Sequence, residues 1–298
     1  MICDSKQTLR FHAVQDYEHA LYHPVDYVTC HICGLVSQYP PPPCESIAGF
    51  YPPTYRNYQP SQKSFFSYLK TIRVRIFAKH MKRLLRRDDR ILEVGFGNGA
   101  LLLTLKKYGF TRLAGCDLSE HAFRMLKQEG ITVVQANIEE RFPFEETFDV
   151  IIFDNVIEHF QDPFAVLRTC VQHLTNRGRI ILVTPNADSW DARIFGSFWA
   201  GLQAPRHIRI FTPQSLTRGA ELSKLSVHTI HSLYDPGQWA FSLSNLLSKS
   251  VPAIRTVQVS ALLTLLFAPV ALLARWCGKG AAIFAVLHKQ RGINSSYL

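Results

Sequence analysis

The first 20 residues hold no apolar run of the length that a secretory signal needs, so the chain is expected to remain in the cytoplasm. Its seven cysteines are odd in number and irregular in spacing, which argues against a disulfide framework and for a reducing compartment. No internal repeat is evident. No aromatic-basic recognition motif accompanies the basic stretches, so nucleic acid is not an expected partner. Disorder on a large scale is excluded by a hydrophobic content of 47%. At 298 residues the length fits one large domain, or an ordinary core with attachments.

Acidic residues are also scarce, and the net charge of +10 is unevenly spread. Positions 70–90 carry nine basic residues (Lys70, Arg73, Arg75, Lys79, Lys82, Arg83, Arg86, Arg87, Arg90) against Asp88 and Asp89, which places +7 in one stretch. The apolar residues among them, from Ile72 to Leu85, recur at helical spacing, so the segment reads as a basic amphipathic helix. Such a helix is either a solvated face packed on the domain or a contact for an anionic membrane.

Five segments follow from composition and pattern. Residues 1–60 form a Cys/His/Pro-rich leader, and 61–89 contain the basic helix. From 90 to 235 short β-branched runs alternate with helical patterns, the mark of βαβ units and a parallel sheet. The expected strands are 90–94, 112–117, 131–135, 148–153, 178–184 and 226–233. Helices are expected to open at Gly99, at an N-cap on Ser119, after Asp162-Pro163, and at Thr212-Pro213. Residues 236–279 hold an uncharged run at 256–274, and 280–298 hold a last strand at 281–288.

The informative segment is Ile91-Leu92-Glu93-Val94-Gly95-Phe96-Gly97-Asn98-Gly99, a strand entering a glycine turn and then a helix. Asp117 closes the next strand, 20 residues after Gly97, where an acid can accept both hydroxyls of a ribose. Gly95, Gly97 and Ala100 also satisfy the dinucleotide fingerprint, so spacing alone leaves NAD open. Glu93 decides. A pyrophosphate belongs at a helix N-terminus, and a carboxylate two residues before the first glycine repels it. S-adenosylmethionine has a sulfonium and an ammonium instead, which an acid attracts.

From 90 to about 224 the chain resembles the class I S-adenosylmethionine methyltransferases, in the group that includes quinone O-methyltransferases. The resemblance rests on Glu93 to Gly99, Asp117 with Leu118, the 134–138 segment (VQANI), the fourth strand with the loop Asn155 to Pro163, and the fifth strand at 178–186. It implies a doubly wound, Rossmann-like α/β sheet of seven strands. It also implies S-adenosylmethionine as cofactor and S-adenosylhomocysteine as product. Glu93, Gly95, Gly97, Gly99, Asp117, Leu118, Asn137 and Asn155 are the expected cofactor residues, with Asn137 standing where the family usually has Asp. Glu158, His159 and His207 are expected on the acceptor side. In the quinone enzymes the Glu-His loop is associated with a divalent metal through a further acid, and here Asn155 stands in place of that acid.

Methyl transfer releases a neutral thioether, so in-line positioning supplies much of the rate, and a hydroxyl nucleophile needs its proton removed or acidified. The acceptor is expected to be a small or lipid-like molecule methylated at oxygen. An NAD-dependent oxidoreductase, a cofactor-binding pseudoenzyme and a membrane-associated scaffold are the rival readings.

Cys30-His31-Ile32-Cys33 resembles half of a zinc-ribbon leader, whose other pair is represented only by Cys3. Three thiolates do not close a tetrahedron, which leaves a remnant, or a zinc completed by His12 or His23. The 256–274 run has nearly the length of a membrane span. A single crossing there is excluded, because the strands before and after it belong to one sheet. It is expected to be a helical insertion, packed as a lid or dipping into one leaflet of an anionic membrane.

Overall fold

The computed structural model describes residues 6–17, 24–51, 65–250 and 261–290. Three antiparallel strands open the leader, β1 (Gln7–Val14), β2 (Val25–Cys30) and β3 (Val36–Tyr39). Prolines 40–43 lack the N–H a ladder requires and end β3 before a short turn of helix, α1 (Cys44–Ile47). The basic helix is α2 (Phe65–Leu84). It stops six residues short of the expected end, because Asp89 caps a turn by accepting the Arg86 N–H at 2.9 Å. Ala78 and Met81 of α2 are fully buried against the sheet. Arg86, Arg87 and Arg90 therefore lie beyond the helix, and Arg87 instead donates to the Tyr108 carbonyl.

The core follows in alternation: β4 (Ile91–Val94), α3 (Ala100–Lys107), β5 (Leu113–Asp117), α4 (Phe123–Gln128), β6 (Thr132–Gln135), β7 (Phe148–Asp154), α5 (Pro163–Gln172) and β8 (Leu174–Pro185). Next come α6 (Trp190–Phe195), β9 (Arg209–Ile210), α7 (Pro213–Leu222), β10 (Leu225–Leu233), α8 (Pro236–Ser250), α9 (Ala261–Leu266), α10 (Ala268–Trp276) and β11 (Ala282–Lys289). The seven-stranded sheet has the order β10-β11-β8-β7-β4-β5-β6, with β11 alone antiparallel to its neighbours. This is the doubly wound α/β sheet that the sequence implied.

Its central strands β4, β5 and β7 are largely buried on both faces, as a sheet covered by helices on each side requires. In β7, Val150 and Ile152 enter the layer under α2 and α3, while Ile151 and Phe153 enter the layer under α5 and α7. Asp162 and Thr212 cap α5 and α7 as expected, each followed by proline in the first turn. Ser119 does not cap α4. The helix begins four residues later, and the Ser119 N–H bonds Asp117 Oδ1 at 2.8 Å.

The leader packs onto the core instead of standing apart. β3 pairs with β9 through Val36 opposite Ile210 and Ser37 opposite Arg209. Cys30 and Cys33 are buried in the main apolar cluster. Among the described residues no cysteine belongs to a metal-binding grouping, while Cys3 and His23 lie outside them.

Of the 256–274 run, residues 256–260 lie outside the described chain, and the rest forms the short helices α9 and α10. No described helix is long and apolar enough to cross a membrane. Leu233 at the end of β10 lies opposite Ala282, and Ala282 opposite Pro185 at the end of β8. The α8–α10 connection therefore emerges at the carboxyl end of the sheet.

Candidate active site

In open α/β sheets, ligands bind beyond the carboxyl ends of the strands, and the expected site residues gather there. Gly95 follows β4 with φ +69°, and a Cβ there would stand 2.5 Å from Val156 Cγ2, so only glycine lets the turn pass beneath that side chain. Gly97 and Gly99 share the left-handed conformation, and Gly99 starts α3 as its N-cap. Asp117, at the end of β5, draws the turn toward itself: its Oδ2 accepts the Gly97 N–H at 2.8 Å and its Oδ1 accepts that of Ser119. Burial raises its pKa.

Glu93 lies under the turn, buried, and its Oε2 has no hydrogen-bond partner among the described residues. Burial, then the nearby Asp154 and Asp117, push its carboxyl well above the usual range. Three acids thus converge at the ends of β4, β5 and β7, an arrangement that a cationic ligand relieves. Asp154 is the member that the sequence reading passed over, although an acid closing the fourth strand was the available signal.

The adenine-side residues are looser. Leu118 is 50% exposed beyond β5. Asn137 turns its amide inward on its own loop, accepting the Glu139 N–H at 3.1 Å and donating to Glu140 at 3.0 Å. Asn155 adopts φ +56°, a conformation asparagine tolerates, and its amide donates to Asp154 Oδ1 at 2.7 Å.

On the other side of that loop Glu158, His159 and His207 come together. Glu158 is 0% exposed, and the Thr184 hydroxyl donates to its Oε2 at 2.9 Å. Burial raises its pKa to about 8. With Nδ1 protonated, His207 donates to the Gly201 carbonyl at 2.8 Å, which turns its Nε2 toward Glu158 Oε1 at 3.8 Å. The His159 and His207 rings meet edge to face with centroids 4.7 Å apart. Glu158 and His207 are fully buried beside His159, whose half-buried ring packs between Tyr51 and His207. His159 Nδ1 stands 3.0 Å from the Arg206 carbonyl and 2.9 Å from the Tyr51 hydroxyl, and burial lowers its pKa to about 4. Tyr51 was outside the sequence reading, since no local pattern ties a leader tyrosine to a loop 108 residues later.

A family model described as a methyltransferase domain matches residues 65–239, more than half of the chain. The chain belongs to that family. It is a class I S-adenosylmethionine-dependent methyltransferase. A "Ubiquinone biosynthesis O-methyltransferase" from Cereibacter sphaeroides is 28% identical over 170 residues, covering 52% of this chain and 68% of that one. A geranyl diphosphate methyltransferase solved in complex with S-adenosylmethionine shares the fold at TM-score 0.53 and 15% identity, covering 74% of this chain and 86% of that one. A coclaurine N-methyltransferase bound to N-methylheliamine and S-adenosylhomocysteine does so at TM-score 0.50 and 14% identity, covering 84% and 82%.

The methyltransferase has the donors its cofactor calls for. The unpartnered Glu93 oxygen and the acid cluster suit a molecule that bears two positive centres and no phosphate, and they disfavour NAD. Each Asp117 oxygen, after one backbone bond, keeps a lone pair for a ribose hydroxyl.

A divalent metal fits less well. Donor atoms of Glu158, His159 and His207 lie within 4.8 Å of one another, the only such grouping among the described residues. Burial, the largest cause, lowers the proton affinity of both imidazoles and keeps them neutral, and Arg206 is paired with Asp16 at 3.3 Å. Asn155 supplies no further carboxylate to the grouping.

Proposed function

We propose that the enzyme methylates the oxygen of a small or lipid-like acceptor. The observation that carries this reading is the half-buried His159, held neutral at the carboxyl end of β7, beside the acid cluster that suits the cofactor. Bound there, S-adenosylmethionine supplies an electrophilic methyl group. Glu93 and Asp117 hold and orient it, the Gly95 turn lets the backbone approach closely, and His159 is placed to receive the proton of an acceptor hydroxyl. Glu158 and His207 fix His159 from behind. The likeness to a ubiquinone O-methyltransferase supports oxygen as the accepting atom.

We assign the enzyme to the cytoplasm and to the surface of an anionic membrane, through the helices at the carboxyl end of the sheet. In α10 the small residues Ala271 and Ala274 face inward, while Trp276 is 74% exposed; in α9 Leu262 is 77% exposed, with Leu265 and Leu266 beside it. From position 236 to the end the chain carries Lys249, Arg255, Arg275, Lys279, Lys289 and Arg291 and no acidic residue. An exposed tryptophan, exposed leucines and Arg275 in the last turn of α10 match the interface of an anionic bilayer. A lipid-like acceptor would then be met at the end of the sheet where the site opens.

Turnover of methyl-labelled S-adenosylmethionine with a lipid extract, with mass spectrometry of the product, tests the reaction. An O-methyl product is expected, and an N- or C-methyl product overturns the oxygen assignment. Calorimetry should show binding of S-adenosylmethionine and S-adenosylhomocysteine but not of NAD.

A further inference from the structure

The leader meets the site at four places. The Tyr27 hydroxyl donates to the His207 carbonyl at 2.8 Å. Asp16 and Arg206 form a fully buried ion pair at 3.3 Å. Gln161 donates to the Pro42 carbonyl at 2.7 Å, and β3 pairs with β9. All four contacts fall on the two loops that hold His159 and His207. Tyr51 of the leader adds a fifth, its hydroxyl on His159 Nδ1.

Between the leader and Pro205 lies a cleft of about 530 Å³, walled by Tyr39, prolines 40–43, Phe50 and Pro205. It is an open cleft with a mostly apolar lining, and its volume falls in the range of small-molecule sites. Proline rings present flat, rigid faces and lose no side-chain freedom when a ligand covers them. His12 and Asp26, paired at 2.9 Å, give the wall a polar edge. Phe50 and Pro205 are the chain neighbours of Tyr51 and Arg206, the two residues whose oxygens reach His159 Nδ1. The wall of the cleft and the histidine are thus joined by single peptide links.

We propose that the leader forms the acceptor-binding half of the enzyme: the cleft takes the apolar body of a ring-bearing hydroxyl compound, and Tyr51 receives its hydroxyl and links it to His159. This rests on the O-methyl-transfer reading. In the transfer, the acceptor oxygen bonds to the methyl carbon as the carbon–sulfur bond breaks, its electron pair remaining on sulfur. In the tautomer of His159 that carries its resting proton on Nε2, the acceptor proton passes to the Tyr51 oxygen while the proton of Tyr51 moves to the free His159 Nδ1. A histidine whose proton affinity burial has lowered suits an acceptor hydroxyl that is itself acidic, as a phenol is.

The test uses the full chain saturated with S-adenosylhomocysteine and 4-butylphenol as probe, followed by calorimetry. Saturable binding is expected, weakened at least fivefold by Phe50→Ala and by Tyr39→Ala, a change at an exposed wall position that leaves the core intact. Tyr51→Phe should leave probe affinity within twofold and lower kcat for its methylation more than tenfold, with KM little changed. Absent probe binding, binding indifferent to both wall variants, or unchanged kcat in Tyr51→Phe overturns the proposal while S-adenosylhomocysteine still binds. Failure of S-adenosylhomocysteine itself to bind the wild-type chain would instead overturn the methyltransferase reading.

Discussion

Asp117 is the residue on which cofactor affinity should depend most. Its carboxylate both shapes the glycine turn, through the Gly97 N–H, and offers a charged acceptor to the ribose. Hydrogen bonds to charged groups are each worth about 1.5–3 kcal/mol, so Asp117→Ala should weaken S-adenosylmethionine binding more than tenfold in a protein that remains folded. Calorimetry on the folded variant checks this, and unchanged affinity would place the ribose elsewhere. Glu158 makes a different prediction. Its ordinary pKa of 4.5 rises to about 8 on burial, so between those values the folded chain binds a proton that the unfolded chain has released. Stability from this group is therefore full below pH 4.5 and falls as pH rises to about 8. Each unit of the shift corresponds to about 1.4 kcal/mol. Glu158→Gln cannot ionise and should show a smaller loss of stability across that window. Denaturant unfolding of both proteins from pH 5 to 8 measures the difference, and parallel pH profiles would mean that Glu158 is already ionised when folded.

At the scale of elements, α10 inverts the usual amphipathic arrangement, with Ala271 and Ala274 inside and Leu272 and Leu273 outside, and α9 exposes Leu262, Leu265 and Leu266. Exposed apolar faces of this kind mark a contact surface. Co-sedimentation should show binding to vesicles containing phosphatidylserine and none to neutral vesicles. High salt should release only part of the protein, since salt screens the basic residues but not the apolar contact. Replacing Leu265, Leu266 and Trp276 by serine should abolish binding. A protein that stays in the supernatant beside anionic vesicles at low salt excludes the membrane assignment. The basic helix α2 was expected to share in this contact. It buries Ala78 and Met81 against the sheet, and its sequence neighbours Arg86, Arg87 and Arg90 leave the helix for turns and loops.

For the whole molecule, the leader is fastened by a strand ladder, a buried ion pair and apolar packing. Those contacts do for the leader what zinc does in a small metal-bound module. Elemental analysis of the purified chain should give well under one zinc per molecule, because Cys3, Cys30 and Cys33 supply three thiolates where four ligands close a tetrahedron. One tightly held zinc would overturn this and point to a histidine as fourth ligand. Chelation should likewise leave methyl transfer intact, because Asn155 stands where a further carboxylate would complete the grouping of Glu158, His159 and His207, the one such grouping among the described residues.

The sheet and the cofactor side were legible in the sequence because their signals are local. Apolar runs, N-cap pairs such as Asp162-Pro163 and Thr212-Pro213, and a glycine turn preceded by Glu93 each act within a few residues. Local rules carry such features through to the fold. Ser119 failed as a cap because its hydroxyl accepts the His121 N–H at 3.3 Å in a turn that ends before α4 begins, and a side-chain pattern does not show where a turn becomes a helix. Of the acceptor side, the sequence named Glu158, His159 and His207, and the leader's contacts with them belonged to the tertiary structure alone. Tyr51 meets His159, Asp16 meets Arg206 and Tyr27 meets the His207 carbonyl across separations of 108, 190 and 180 residues. Nothing near any of these residues announces its partner, because each contact exists only once β3 has paired with β9 and the leader has closed over the end of the sheet.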